Sequence, residues 1–276
     1  MGKLFKNLKP YWKSVLMIVV LLVVQAFCDL SLPQYTSDII DTGIQNSGVE
    51  HILPEKITAE EFQNAQLFMT ADEQKTWQDA YSGDSDILDR NDFSKKDLEQ
   101  FDSDLIVPIL LNYQMSMMSE DSFREMLMQQ QQGNPQAAEQ LKTMSIADIG
   151  KSMGVTLTPF ERTEEDDDGN QTTVTCVDVR PLFAAMQEAG QFTEETRSEM
   201  RSQLETMLDT MGESLVQSMG VAYAVQCDQA AGLDTDNIQT NYLWAAGGKM
   251  VAMAFAMMAA TICVSYVAAR VGAGVG

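Results

Sequence analysis

The chain predicts a mainly α-helical membrane protein, with two transmembrane helices flanking a mostly helical extracytoplasmic domain that carries a small β-hairpin. Three observations lead there. Apolar residues gather at the two ends of the 276 residues. Acidic residues gather between them. Helix-capping patterns recur through that acidic segment, so it is not a linker. The formal net charge of −22 excludes a nucleic-acid partner, whose phosphates require basic patches. A single histidine, His51, removes most His-based catalysis, and the four cysteines form no CxxC pair.

Residues 1–13 predict a basic interfacial helix. Lys3, Lys6, Lys9 and Lys13 alternate with apolar residues, and Tyr11 and Trp12 suit the headgroup level. Residues 14–37 predict transmembrane helix 1. Ser14 to Cys28 is uncharged, and the apolar run resumes after Asp29 with Leu30, Leu32 and Tyr35. A cleaved signal peptide is the competitor for this span. Phe27 beside Cys28 and the lack of an A-x-A site argue against cleavage.

Residues 38–236 predict the acidic extracytoplasmic domain. Residues 50–233 alone hold 12 basic and 35 acidic side chains, essentially the whole net charge. Residues 237–276 predict transmembrane helix 2 and the start of its cytoplasmic extension, because Met250 to Ala269 is uncharged and long enough to span. Four lysines before the first span and Arg270 after the second place both termini in the cytoplasm, with residues 50–233 outside.

Within the acidic segment, Thr58-x-x-Glu61 and Thr70-x-x-Glu73 are capping boxes, and Ser94-x-x-Asp97 and Ser145-x-x-Asp148 are related. Ser119 opens a further helix that stops by Gly133-Asn134-Pro135. From Thr193, Met200, Leu204, Met207, Leu208, Met211, Leu215, Met219 and Ala222 form one apolar stripe, which predicts a single helix of about 30 residues. Val155–Phe160 and Thr172–Val179 alternate as strands, with Asp168-Gly169-Asn170 between them as a hairpin signal.

Chemistry-bearing motifs are few. The acidic run Glu164–Asp168 fails as a calcium loop. Counted from Asp166, the sixth position is Gln171 and the twelfth is Val177. Gly248-Lys249 fails as a phosphate loop, because Met250 follows it and Leu243 stands where the first glycine belongs. No catalytic, metal or cofactor-binding residue is therefore expected. Cys28 and Cys263 read as small apolar side chains, while Cys176 and Cys227 are free to pair or not. The candidates for a translocation path are Gln25 and Asp29, polar within a span, and Met253 and Met257, adaptable side chains at helical spacing.

Two stretches resemble a known family. They are Leu4-Phe5-Lys6 through Pro10-Tyr11-Trp12, Asp29-Leu30-Ser31-Leu32-Pro33 and Ser37 to Ile44 at one end, and Asp234 to Gln239 with Ala268 to Gly274 at the other. Together they resemble the first two helices of bacterial multidrug-type ABC exporter half-transporters, over about 80 residues. The resemblance implies a multi-pass protein of the bacterial plasma membrane that moves amphipathic or drug-like solutes outward. It implies ATP and Mg²⁺ at a nucleotide-binding domain whose motifs this chain lacks, so the chain alone is expected to be no enzyme. It also implies pairing with a second half-transporter, as homo- or heterodimer, within the lipid bilayer. The first outer loop departs from the family's short form by its expansion, and the chain reads as an N-terminal part. The alternative is a two-helix membrane receptor with an extracytoplasmic ligand-sensing domain.

Overall fold

The computed structural model describes residues 12–83, 86–130, 135–165 and 171–275. The chain divides into two units: its two ends, up to Glu50 and from Asp234, form one, and His51–Leu233 the other. The expected interfacial helix lies outside the described residues except for Trp12 and Lys13. These two already belong to α1 (Trp12–Asp38), which runs through Pro33 and passes into a π-helical stretch, Ile39–Gln45. Gly48, with φ +80°, then ends the helical run, its N–H donating to the Thr42 carbonyl at 2.8 Å.

The unit His51–Leu233 is built from locally specified helices. β1 (Lys56–Thr58) leads into α2 (Ala59–Ala65), where the Thr58 hydroxyl accepts the Glu61 N–H at 3.3 Å. α3 (Ala71–Ala80) opens with a reciprocal box between Thr70 and Glu73. β2 (Tyr81–Ser82) and β3 (Ile87–Arg90) follow, and α4 (Lys95–Ser116) opens with the same box between Ser94 and Asp97. After β4 (Met118–Ser119), Ser119 caps α5 (Glu120–Gln130) by accepting the Ser122 N–H at 3.1 Å. α6 (Pro135–Thr143) and α7 (Ile146–Ser152) come next, the latter capped by Ser145. Each cap satisfies N–H groups that a helix start leaves without partners.

β5 (Pro159–Glu165) and β6 (Gln171–Val177) pair antiparallel, with Phe160 opposite Cys176. The expected turn at 168–170 lies outside the described residues. The first strand begins four residues later than the alternation predicts. Gly154 adopts φ +77°, and the Val155 N–H closes the end of α7 on the Gly150 carbonyl at 3.0 Å, so Val155 is spent on the helix terminus. β4 joins the far edge of β6, which makes a three-stranded sheet in the order β4–β6–β5. A second sheet, β1–β3–β2, was not expected, because strands of two to four residues are too short to display a period.

α8 (Arg180–Glu188), α9 (Glu194–Leu208) and α10 (Glu213–Ala230) complete the unit. The single helix expected from Thr193 onward is in fact two. The chain turns at Asp209–Gly212, and Gly212 caps the second helix from an extended conformation. The apolar stripe splits accordingly. Leu204 and Leu208 are buried in the core and Met200, Met211 and Met219 pack against it, whereas Leu215 is 55% exposed. The core includes Phe68, Phe123, Leu110, Ile149, Leu157 and Val177, and Phe68, Phe183 and Phe192 form an edge-on aromatic triangle with centroids 5.4–6.0 Å apart.

α11 (Thr235–Val275) returns alongside α1. Both helices are long and apolar enough to cross a membrane. Most of their large apolar side chains face outward, among them Phe27, Leu30, Trp244 and Phe255.

Candidate functional site

The two long helices meet along a regular seam. On α1 and the π-helical stretch after it, the partly or fully covered positions include Ser14, Ile18, Leu21, Gln25, Cys28, Leu32, Tyr35, Ile39 and Thr42. On α11 they include Leu243, Ala246, Met250, Met253, Met257, Ala260, Val264, Val267 and Val271. Both series step by alternating threes and fours, the 3.5-residue repeat of coiled-coil packing. Two contacts tie the helices together at one end. Gln239 Nε2 donates to the Gly43 carbonyl at 2.9 Å, and a Cβ on Gly43 would lie 2.7 Å from a Leu243 methyl. Counted in order from that end, the covered positions predict Ile39 opposite Ala246, Leu32 opposite Met253, Cys28 opposite Met257 and Gln25 opposite Ala260. The most covered members, Cys28, Ala246 and Ala260, are small, and in that count each falls opposite a larger side chain.

Three of the four sequence candidates, Gln25, Met253 and Met257, thus share one seam and are half-covered by the opposite helix. Asp29 is not among them. It lies one position past Cys28, exposed and turned off the seam. Pro33, four residues on, has no N–H to offer the Asp29 carbonyl. The neighbouring hydroxyls bond elsewhere, Ser31 to the Phe27 carbonyl and Thr36 to that of Leu32.

The unit His51–Leu233 holds a second site that sequence reasoning missed, a cleft of about 400 Å³. Its floor is an ion cluster centred on Arg180, which is 7% exposed. Arg180 Nη1 donates to both Glu61 oxygens at 2.7 Å, and its Nε and Nη2 donate to Asp178 at 3.0 and 2.8 Å. Glu61 Oε1 also accepts from Asn112 Nδ2 at 2.8 Å and from the Tyr223 hydroxyl at 3.1 Å. Burial works against the Arg180 charge, but the Asp178 hydrogen bonds and the Glu61 charge outweigh it and hold the guanidinium above its usual range. Burial, followed by the Glu61 charge, pushes the Cys227 thiol well up, so it is a thiol and no ready nucleophile. Phe160, Met117, Gln226 and Glu60 line the cleft above this floor. Local spacing carried no signal for the cluster, since Glu61 and Arg180 lie far apart in the chain and Glu61 reads only as a capping residue.

Nearby, Asp228 is fully buried at the end of α10. Its Oδ1 accepts the Lys56 N–H at 2.8 Å, while its Oδ2 has no hydrogen-bond partner. Burial pushes this carboxyl up to about 6, against the pull of the Lys56 N–H. His51 Nδ1 lies 2.7 Å from Asp102 Oδ2, and the Ile52 N–H donates to Asp102 Oδ1 at 2.9 Å, which fastens the start of this unit to α4. No disulfide joins any of the four cysteines, and Cys176 and Cys227 are both buried. Among the described residues, no cluster of His, Cys, Asp and Glu is arranged to hold a metal ion.

No protein-family model, curated protein or solved structure matches the chain.

Proposed function

We propose that the chain is the N-terminal membrane portion of an ATP-driven ABC-type exporter, with α1 and α11 as its first two helices and His51–Leu233 outside the cell. The observation that carries this reading is Asp29. In the register of the seam, the span 14–37 and the uncharged window Met250–Ala269 share a common centre, level with Gln25 and Ala260. Asp29 is then about 5 Å along the helix from that centre, in a hydrocarbon layer about 15 Å deep on each side. A carboxylate there costs about 3 kcal/mol or more against lipid. The carbonyl left without its donor by Pro33 adds to that polarity.

An isolated hairpin leaves this polar spot facing lipid. A bundle with further helices covers it or opens it to a water-filled path, and an exporter transmembrane domain supplies such helices. The exporter-like residues at both ends agree with this. ATP hydrolysis then belongs to a nucleotide-binding domain outside these residues.

The test is to purify the complete gene product, with any subunit that copurifies, into lipid nanodiscs and proteoliposomes. The exporter reading expects ATP hydrolysis and outward dye movement from that assembly, no nucleotide binding by the 276-residue chain alone, and loss of transport in Asp29→Leu with insertion intact. A signalling module in place of nucleotide-driven transport would overturn it and favour a membrane receptor.

A further inference from the structure

We propose that the cleft above Arg180 binds a small organic cation carrying an apolar ring. The inference is independent of the exporter reading, because it concerns only the outer unit. Its volume of about 400 Å³ suits a small molecule. Its lining sets the sign of the ligand. Glu60, Glu61 and Asp178 are its acidic side chains and Arg180 its one basic side chain. That guanidinium is turned onto Glu61 and Asp178, which leaves the floor with one negative charge in surplus and offers no opening for an anion. Glu60, on the exposed face of α2, is left to meet a charge arriving from solvent.

The same lining sets the body of the ligand. Phe160 is 39% exposed, a large ring kept partly wet at the start of β5, with Met117 and Tyr223 also in the lining. An aromatic face attracts a cation through its quadrupole, and a thioether adapts to apolar shapes. Arg162, whose Nη1 reaches the Met117 sulfur at 3.0 Å, does not itself line the cleft. The floor is preorganised, since Glu61 Oε1 already accepts from Arg180, Asn112 and Tyr223, so binding needs little rearrangement. The surplus of acidic side chains over the whole outer unit concentrates cations near the mouth.

The experiment is calorimetric titration of the full chain in zwitterionic nanodiscs with benzyltrimethylammonium, using benzyl alcohol as the neutral control and empty nanodiscs as the blank. Saturable binding is expected, absent with benzyl alcohol and weaker in high salt. Glu60→Gln and Phe160→Ala should each weaken it by about five- to tenfold. Glu205→Gln, on the exposed face of α9 and outside the cleft, should leave it unchanged, and near-ultraviolet circular dichroism should show every variant folded. Three results would overturn the proposal: no saturable heat, equal binding of the neutral control, or a loss in Glu205→Gln matching that in Glu60→Gln, which would mean diffuse attraction to an acidic surface.

Discussion

Arg201 on α9 grips Glu73 with two parallel bonds, Nη1 and Nη2 each donating to a different carboxylate oxygen at 2.7 Å. Glu73 is at the same time the residue that closes the capping box on Thr70, accepting the Thr70 N–H at 2.7 Å. One carboxylate therefore fixes the start of α3 and docks α9 against it. Arg201 also donates to the Phe68 carbonyl at 3.1 Å, which ties the pair to the aromatic core.

The first prediction concerns this pair. Arg201→Ala should lower the stability of the unit His51–Leu233 by about 1–2 kcal/mol, because both partners are mostly covered and the geometry is bidentate. Burial alone would raise the Glu73 pKa, but the Arg201 and Thr70 bonds overcome it and the carboxyl is lowered. A lowered carboxyl contributes stability above its unfolded pKa of roughly 4.3 and loses it as the pH falls through the folded value. Urea unfolding of the full chain, followed through the buried Trp77, should show a smaller acid-side loss in Arg201→Ala than in the parent.

Asp228 predicts the opposite slope. Its carboxyl is raised to about 6 in the folded chain, against roughly 3.9 when unfolded. Between those values the folded state holds a proton that the unfolded state has released. Its contribution is full below about pH 4 and is lost as the pH rises through about 6. Asp228→Asn keeps a carbonyl for the Lys56 N–H and removes the charge. It should be more stable than the parent at pH 7.5, by on the order of 2 kcal/mol, and should match it near pH 4. An unchanged slope between pH 4 and 7 in this variant would refute the assignment.

Gly220 gives a packing prediction. A Cβ there would lie 2.6 Å from both Ile106 Cδ1 and Ile52 Cγ2, and 3.3 Å from the Ile52 Cβ. α10 lies so close to these two side chains that even a methyl group has no room. Gly220→Ala should gain a little helix propensity and lose more to overpacking, for a net cost of about 1–3 kcal/mol. Thermal melting followed by near-ultraviolet circular dichroism measures it.

The seam predicts cross-linking by register. In a background with Cys28 and Cys263 changed to alanine, the pair Ile18→Cys with Val267→Cys is level and should oxidise to a disulfide in membranes. Ile18→Cys with Ala260→Cys, one heptad off that level, should not, because the Cα atoms would be separated by about 10 Å along the axis. Equal yields from both pairs would refute the register.

Much of this fold was legible because it is local. Thr58, Thr70, Ser94, Ser119 and Ser145 all open helices as their spacing predicts, since a cap needs only residues within one turn. The β5–β6 pairing was legible only in part: the expected strand Val155–Phe160 shares just Pro159 and Phe160 with β5, because the end of α7 claims its first residues and Glu161–Glu165 show no apolar alternation. The turn at Asp209–Gly212 was not. Leu208, Met211 and Leu215 continue a helical spacing across it, and a glycine inside such a pattern is tolerated as readily as it is a boundary. The seam was hidden for a different reason. Almost every position in the two spans is apolar, so the covered stripe has no contrast against the exposed one. The Arg180 cluster joins segments that only the tertiary fold brings together, and no period or spacing reports that.

The close approach of Gly48 to Gln239, whose Cα would lie 2.9 Å from a Cβ on the glycine, has an evolutionary consequence. The chain leaves the first long helix and rejoins α11 at nearly the same point, so everything between Glu50 and Asp234 is inserted at one place in a hairpin that closes by itself. The heptad positions named above all belong to the two ends of the chain. The two parts are therefore free to change at different rates. Selection on helix pairing holds the ends, while the insertion can lengthen, shorten or be exchanged for another domain with adjacent termini without shifting a single layer of the seam.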